Sequence, residues 1–121
     1  MEISHNLHLT YCSNIHSGES WEEVFDSLKK NIPAIKKSIS PDKSFGIGLR
    51  LSAEAAEVLL TENHLPEFRN WLSENGCYVF TMNGFPFGSF HNAVVKDEVY
   101  KPDWSTRLRM EYTLDLINVM A

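Results

Sequence analysis

Residues with chemistry to offer gather in three short stretches of this 121-residue chain, each following an apolar run: Asn14 with His16, Arg50 with Ser52, and Asn83, Phe85, Phe87 and His91 within "MNGFPFGSFH". Imidazole can bind a divalent metal or move a proton near neutral pH, which makes His91 the sharpest candidate, as a catalytic group or as a metal ligand. No carboxylate stands with it at the ends of the three runs, so a loop histidine making one structuring hydrogen bond is the alternative. Arg50 interrupts the otherwise apolar "FGIGLRLS", where a charge is costly unless it is paired or reaches an open face. Its fork suits a carboxylate or phosphate, so it reads either as a catalytic or ligand-binding residue or as half of an ion pair with a carboxylate such as Glu19.

The remaining candidates carry the same two readings. Asn83 both donates and accepts, which suits a sugar hydroxyl or carbonyl in a catalytic site; the alternative is an Asx turn leading into Gly84. Asn14 and His16 lie in the short glycine-containing stretch "NIHSGES" and are candidates for substrate contact, with His16 otherwise ordering the turn before a helix. Phe85 and Phe87 are candidates for the wall of a substrate pocket, or else for a plug over apolar surface. His8, beside Thr10 and Cys12, reads as an interior histidine, and His5 and His64 as surface residues.

What must position these side chains is a pattern that occurs three times: apolar run, polar loop, amphipathic helix. In the first unit Leu7, Leu9 and Tyr11 alternate with His8, Thr10 and Cys12, which predicts one strand ending near Asn14. Ser20 and Glu23 have capping-box spacing. Trp21, Val24, Phe25, Leu28, Ile32, Ile35 and Ile39 then form one helical stripe, which Pro33 is expected to kink or break near Ile32. The second unit opens with Phe45 to Ser52, apolar on both sides as in a parallel sheet, with Gly46 and Gly48 allowing close approach to the backbone. Two helices follow, "AEAAEVLL" and a second with Pro66 in its first turn and Gly76 just past its end. The third unit is "CYVFTMN", a long connection from Gly84 to Pro102, and a helix with Asp103 as its expected cap and Trp104, Leu108, Tyr112, Leu116 and Val119 as its core stripe. Connections of that length are often lids or binding loops. Three such units in a row predict an α/β fold with parallel strands and right-handed crossovers.

Composition fits a single soluble globular domain over residues 1–121, with 43% hydrophobic and 22% charged residues. A formal charge of −5 gives no basic footprint, so nucleic acid is not an expected partner. Cys12 and Cys77 each lie in an apolar run and form no C-x-x-C pair, which reads as reduced, buried thiols and a cytoplasmic location. No secretory leader pattern and no apolar run of about 18 residues is present, so membrane insertion is not expected. A P-loop, a complete dinucleotide fingerprint and a G-x-S-x-G elbow are likewise missing from the sequence. Three parallel strands leave both sheet edges unpaired. Because an eight-unit β/α barrel needs about 250 residues, the chain reads as its first three units. The alternative is a small three-layer domain that hides its edges by self-association with a second copy.

The series "LTYCSNIHSGESW", "FGIGLRLS", "YVFTMNGFPFGSFH" and "VKDEVYKPDWSTRLRMEYTLDL" resembles the N-terminal portion of the bacterial EboE family, described as metabolite traffic proteins, over residues 7–120. The resemblance implies a TIM (β/α)8 barrel of the xylose-isomerase-like, sugar phosphate isomerase/epimerase class. It also implies a gene cluster that encodes a prenyltransferase-like membrane enzyme and moves a secondary-metabolite precursor toward the periplasm, with partners from that cluster and a small-molecule metabolite as ligand. Barrels of this class often hold a divalent metal between histidines and carboxylates of several strands, where His91 would be one ligand in the full-length protein. One reading is therefore a metal-dependent isomerase, epimerase or lyase using Arg50, Asn83 and His91. Another is a binding protein that handles its metabolite without turnover, relying on Phe85, Phe87 and Phe90. A third is a non-catalytic fragment that self-associates through its sheet edges.

Overall fold

A computed structural model describes residues 1–61, 63–88 and 96–121 of the chain. A hairpin of β1 (Glu2–Ser4) and β2 (Leu7–His8) precedes β3 (Tyr11–Cys12), a 3-10 turn at Ser13–Ile15 and α1 (Trp21–Ile39). Then come β4 (Phe45–Arg50), α2 (Ala53–Leu60), α3 (His64–Glu74), β5 (Cys77–Asn83), a 3-10 turn at Lys96–Tyr100 and α4 (Arg107–Met120). The class is mixed α/β with a parallel sheet, as the three repeated units require.

The sheet runs β3-β4-β5 in chain order, with both pairings parallel. Every residue of β4 is buried, because the strand is flanked on both edges and covered by helices on one face. On that face Phe45, Ile47, Leu49 and Leu51 join one apolar cluster with Trp21 and Phe25 of α1, Leu59 of α2, Phe68 of α3 and Tyr112 of α4. The four helices thus lie on the same side, α2 touching α1, α3 and α4. The opposite face presents Gly46, Gly48 and Arg50 from β4. A Cβ at Gly48 would sit 3.1 Å from Thr81 Oγ1 and 3.4 Å from Thr10 Oγ1, so the flanking threonines close over the bare strand. Phe80 is the extra residue of a bulge between β4 and β5, which turns its ring onto this same face beside His8.

Several local signals act as their chemistry requires. Ser20 accepts from the Glu23 amide while the Glu23 carboxylate accepts from the Ser20 amide, completing the capping box of α1. Ser52 caps α2 by accepting from the Ala55 amide. Gly76, at φ +60°, turns the chain out of α3 into β5.

Four expectations need correction. The single strand from Leu7 to Asn14 is divided: Leu7–His8 pairs antiparallel with Glu2–Ser4, and only Tyr11–Cys12 joins the main sheet. A turn at His5 and Asn6, where Asn6 takes φ +59°, a conformation asparagine tolerates better than most residues, folds Glu2–Ser4 back to supply the partner of Leu7–His8, and the pairing changes across Leu9 and Thr10. Pro33 does not break α1, which continues to Ile39. The proline is on the exposed side, where the carbonyl it leaves unbonded meets water. The cap of the last helix is Thr106, whose hydroxyl accepts from the Arg109 amide, while Asp103 forms a turn upstream by accepting from the Ser105 amide. Trp104 and Leu108 are exposed, and the buried stripe is Arg109, Tyr112, Leu116 and Val119. No helix of the described residues is long and apolar enough to cross a membrane.

Candidate functional site

Parallel strands bring their C-terminal ends to one end of the sheet, and here Cys12, Arg50 and Asn83 mark that end. Arg50 is the hub. Its amide donates to Ser13 Oγ at 2.9 Å, Nη1 donates to the Gly18 carbonyl at 3.1 Å, and Nη2 donates to the Gly88 carbonyl at 2.8 Å and to Glu19 Oε2 at 3.0 Å. The β3–α1 loop and the β5–α4 connection are therefore both tied to the end of the central strand. Arg50 is 3% exposed, so its charge is desolvated and the Glu19 carboxylate and two carbonyls replace water around it. The Ser52 hydroxyl adds a second tie to the same loop, donating to the Glu19 carbonyl at 2.7 Å.

The start of the β5–α4 connection is fixed from the other side. Arg109, 4% exposed, donates through Nε to the Pro102 carbonyl at 2.8 Å. Its Nη1 donates to the carbonyls of Gly84 at 3.0 Å and Phe85 at 3.1 Å. The Tyr112 hydroxyl donates to the Leu51 carbonyl at 2.6 Å, and the Ala53 amide to the Phe87 carbonyl at 2.8 Å. Burial pushes the Tyr112 phenol up to about 12, with Arg50 and Arg109 opposing that rise.

Each side chain singled out from sequence now has a place. Arg50 forms the ion pair with Glu19 that was one of its two readings. Asn83 Oδ1 accepts from the Phe85 amide at 3.0 Å, the Asx turn that was its alternative role. His16 Nε2 lies 3.0 Å from the Tyr11 hydroxyl, and burial lowers its pKa. Asn14, half-buried, belongs to the 3-10 turn whose first residue, Ser13, receives the Arg50 amide. Phe87 packs edge-on against Tyr112 at 5.4 Å and so fills apolar space, whereas Phe85 is 45% exposed and meets Tyr100 at 5.3 Å. Phe85 and Asn83 also line an open cavity of about 540 Å³ between the end of β5 and α4, with Tyr100, Trp104 and Arg109. The three strand-end stretches thus converge, through Arg50 rather than through the aromatic rings.

His91 and Phe90 lie outside the described residues. Among the described residues no group of three His, Cys, Asp or Glu side chains is placed to hold a metal ion. The described donors do not by themselves make a divalent-metal site.

Sequence reasoning missed Arg109 and Ser13. Arg109 stands three residues before Tyr112 and seven before Leu116, the spacing of the buried stripe, so its register was legible even though its charge argued against burial. Ser13 carries no such signal, since a serine after a strand is ordinarily a loop residue. Comparison with family models, curated proteins and solved structures found no match to this chain.

Proposed function

We propose that this chain is the metabolite-binding part of a β/α-barrel protein of the sugar phosphate isomerase-like class, and that it handles its ligand without turning it over, as the resemblance to the EboE metabolite traffic proteins implies. The observation that carries this reading is the convergence of all three strand-end loops on Arg50, beside a sheet face floored by Gly46 and Gly48. Strands in chain order with all helices on one side leave the other side as an inner wall, and β/α folds bind ligands at the C-terminal end of that wall. Among the described residues, which do not include His91, binding is favoured over catalysis because the polar candidates Arg50, Asn83 and His16 have structural duties. Arg50 is committed to Glu19 and two carbonyls, Asn83 to its turn and His16 to Tyr11. Among the described residues, Thr10 and Thr81 beside Gly48, with the Cys12 thiol at the strand end, offer neutral hydrogen-bonding groups to a ligand.

Thermal unfolding of the full chain against a panel of sugars, sugar phosphates and sugar acids tests this. A ligand that binds only the folded state raises Tm by mass action. The expected outcome is that at least one member raises Tm and is recovered chemically unchanged by proton NMR. Conversion of that member would instead favour the isomerase reading, and a panel without effect would remove both.

A further inference from the structure

The same inner wall has a second feature at its N-terminal end, where the β1–β2 hairpin lies against the sheet and borders a cavity of about 840 Å³. Gly46 lets the hairpin settle there: a Cβ would come within 2.7 Å of the Met1 nitrogen and 3.2 Å of the Tyr78 ring. The Met1 nitrogen donates to the Tyr78 hydroxyl at 2.8 Å, and the same hydroxyl is 2.8 Å from His8 Nδ1. The Tyr78 oxygen accepts from the Met1 nitrogen and still has a lone pair and its own proton for the contact with His8 Nδ1. The imidazole is held in place by stacking on Phe80 at 4.7 Å and by the Tyr78 ring edge-on at 6.1 Å.

The cavity is richer in donors than the chain's charge of −5 would suggest. Lys43, Ser44, His5 and His8 line it, with Glu2 as the one carboxylate among its lining residues. Glu2 Oε1 is turned toward the Asn6 amide at 3.4 Å, and Lys43 Nζ reaches the Glu2 carbonyl rather than its carboxylate. Ile3 and Tyr78 supply apolar wall beside these donors. We infer that this cavity binds the oxyanion of a small acidic molecule, a carboxylate or a phosphate, through Lys43, the His8 and His5 imidazoles and the Ser44 hydroxyl. Charge-assisted bonds from a cation and several neutral donors suit an acceptor-only group, and the aromatic stack presets the His8 imidazole without an ordering cost at binding. The inference is independent of the proposed function, because it concerns the opposite end of the strands from Arg50.

The test is a titration of the full chain with inorganic phosphate and, separately, with acetate, at fixed pH and ionic strength, following the histidine Cε1–H resonances. His8 and His5 are expected to shift saturably while His64, on α3, stays still. Tighter binding of phosphate would point to a phosphoryl ligand and tighter binding of acetate to a carboxylate. Lys43→Met is expected to weaken binding by about tenfold, the equivalent of one charge-assisted contact, and Lys43→Arg to preserve it. Lys43 is exposed, so neither variant threatens the fold. Shifts that never saturate, that appear equally at His64, or that are unchanged in Lys43→Met would overturn the inference.

Discussion

Arg50 and Glu19 form an ion pair at 3.0 Å in which the arginine is almost wholly buried and the carboxylate is about a quarter exposed. The pair ties the last residue of the central strand to the loop just before the first long helix. Removing the cation leaves the carbonyls of Gly18 and Gly88 without their donor as well as Glu19 without its counter-charge. Arg50→Met is therefore expected to lower unfolding stability by about 2–4 kcal/mol, below the upper range for fully buried pairs because Glu19 keeps contact with water. Glu19→Gln should cost less, and a double-mutant cycle read by urea unfolding should return a coupling of about 1 kcal/mol. A coupling near zero would mean that the pair does not hold the loop.

Leu108 and Arg109 exchange the roles that hydrophobicity alone assigns them. Arg109 is 4% exposed and bonded to three carbonyls, while Leu108 is 57% exposed. Arg109→Met is expected to destabilise by about 2 kcal/mol or more by stranding those carbonyls, and Leu108→Ser to stay within about 0.5 kcal/mol. Comparable effects from the two would contradict the burial assignment of α4.

Tyr112 supplies the pH prediction. Its folded pKa of about 12 exceeds the ordinary phenol value of about 10, so between those limits the unfolded chain gives up the phenolic proton first and binds fewer protons than the folded one. Its contribution is intact below about pH 10 and is lost as pH climbs toward about 12. The phenols of Tyr11 and Tyr78 are also raised by burial and add to the same alkaline slope. Tyr112→Phe should flatten that slope and cost about 1–2 kcal/mol at neutral pH, because the Leu51 carbonyl loses its 2.6 Å donor. His16 acts at the other end. Its pKa is lowered by burial, so stability falls as pH drops through the ordinary histidine range, where the unfolded chain takes up a proton first.

The expectation of two buried thiols holds only for Cys77, whose thiol is pushed up by desolvation; Cys12 is exposed at the end of β3, a strand on the rim of the sheet. A thiol reagent should therefore show one fast and one slow reaction in the native chain, with Cys12→Ser removing the fast one. Two equal rates would mean that the inner wall is not open at Cys12.

The βα repeats were legible because each signal had a local cause. Period-two runs, the Ser20 and Glu23 box, Pro66 early in α3 and Gly76 after it all act within a few residues of themselves. The N-terminal hairpin escaped because Leu7, Leu9 and Tyr11 keep the same alternation across two strands, and the left-handed Asn6 that closes the hairpin lies upstream of all three. The candidate site was legible in place more than in role. Arg50, Asn83 and the loop after β3 do meet at one end of the sheet, yet whether a polar side chain faces a ligand or a neighbouring loop depends on contacts 25 to 40 residues away in sequence. Arg50 with Glu19 and Arg109 with Gly84 are such pairs.

The central claim is that a small metabolite occupies the inner wall at the C-terminal ends of the strands. Cys12 sits on that wall, opposite Gly48, and reports on it directly. The decisive measurement is the rate of Cys12 modification in the full chain with and without whichever panel member raises Tm, with Cys77→Ser as background. Saturable slowing at the concentration that stabilises the fold is the predicted result. An unchanged Cys12 rate at full saturation would place the ligand elsewhere and contradict the account.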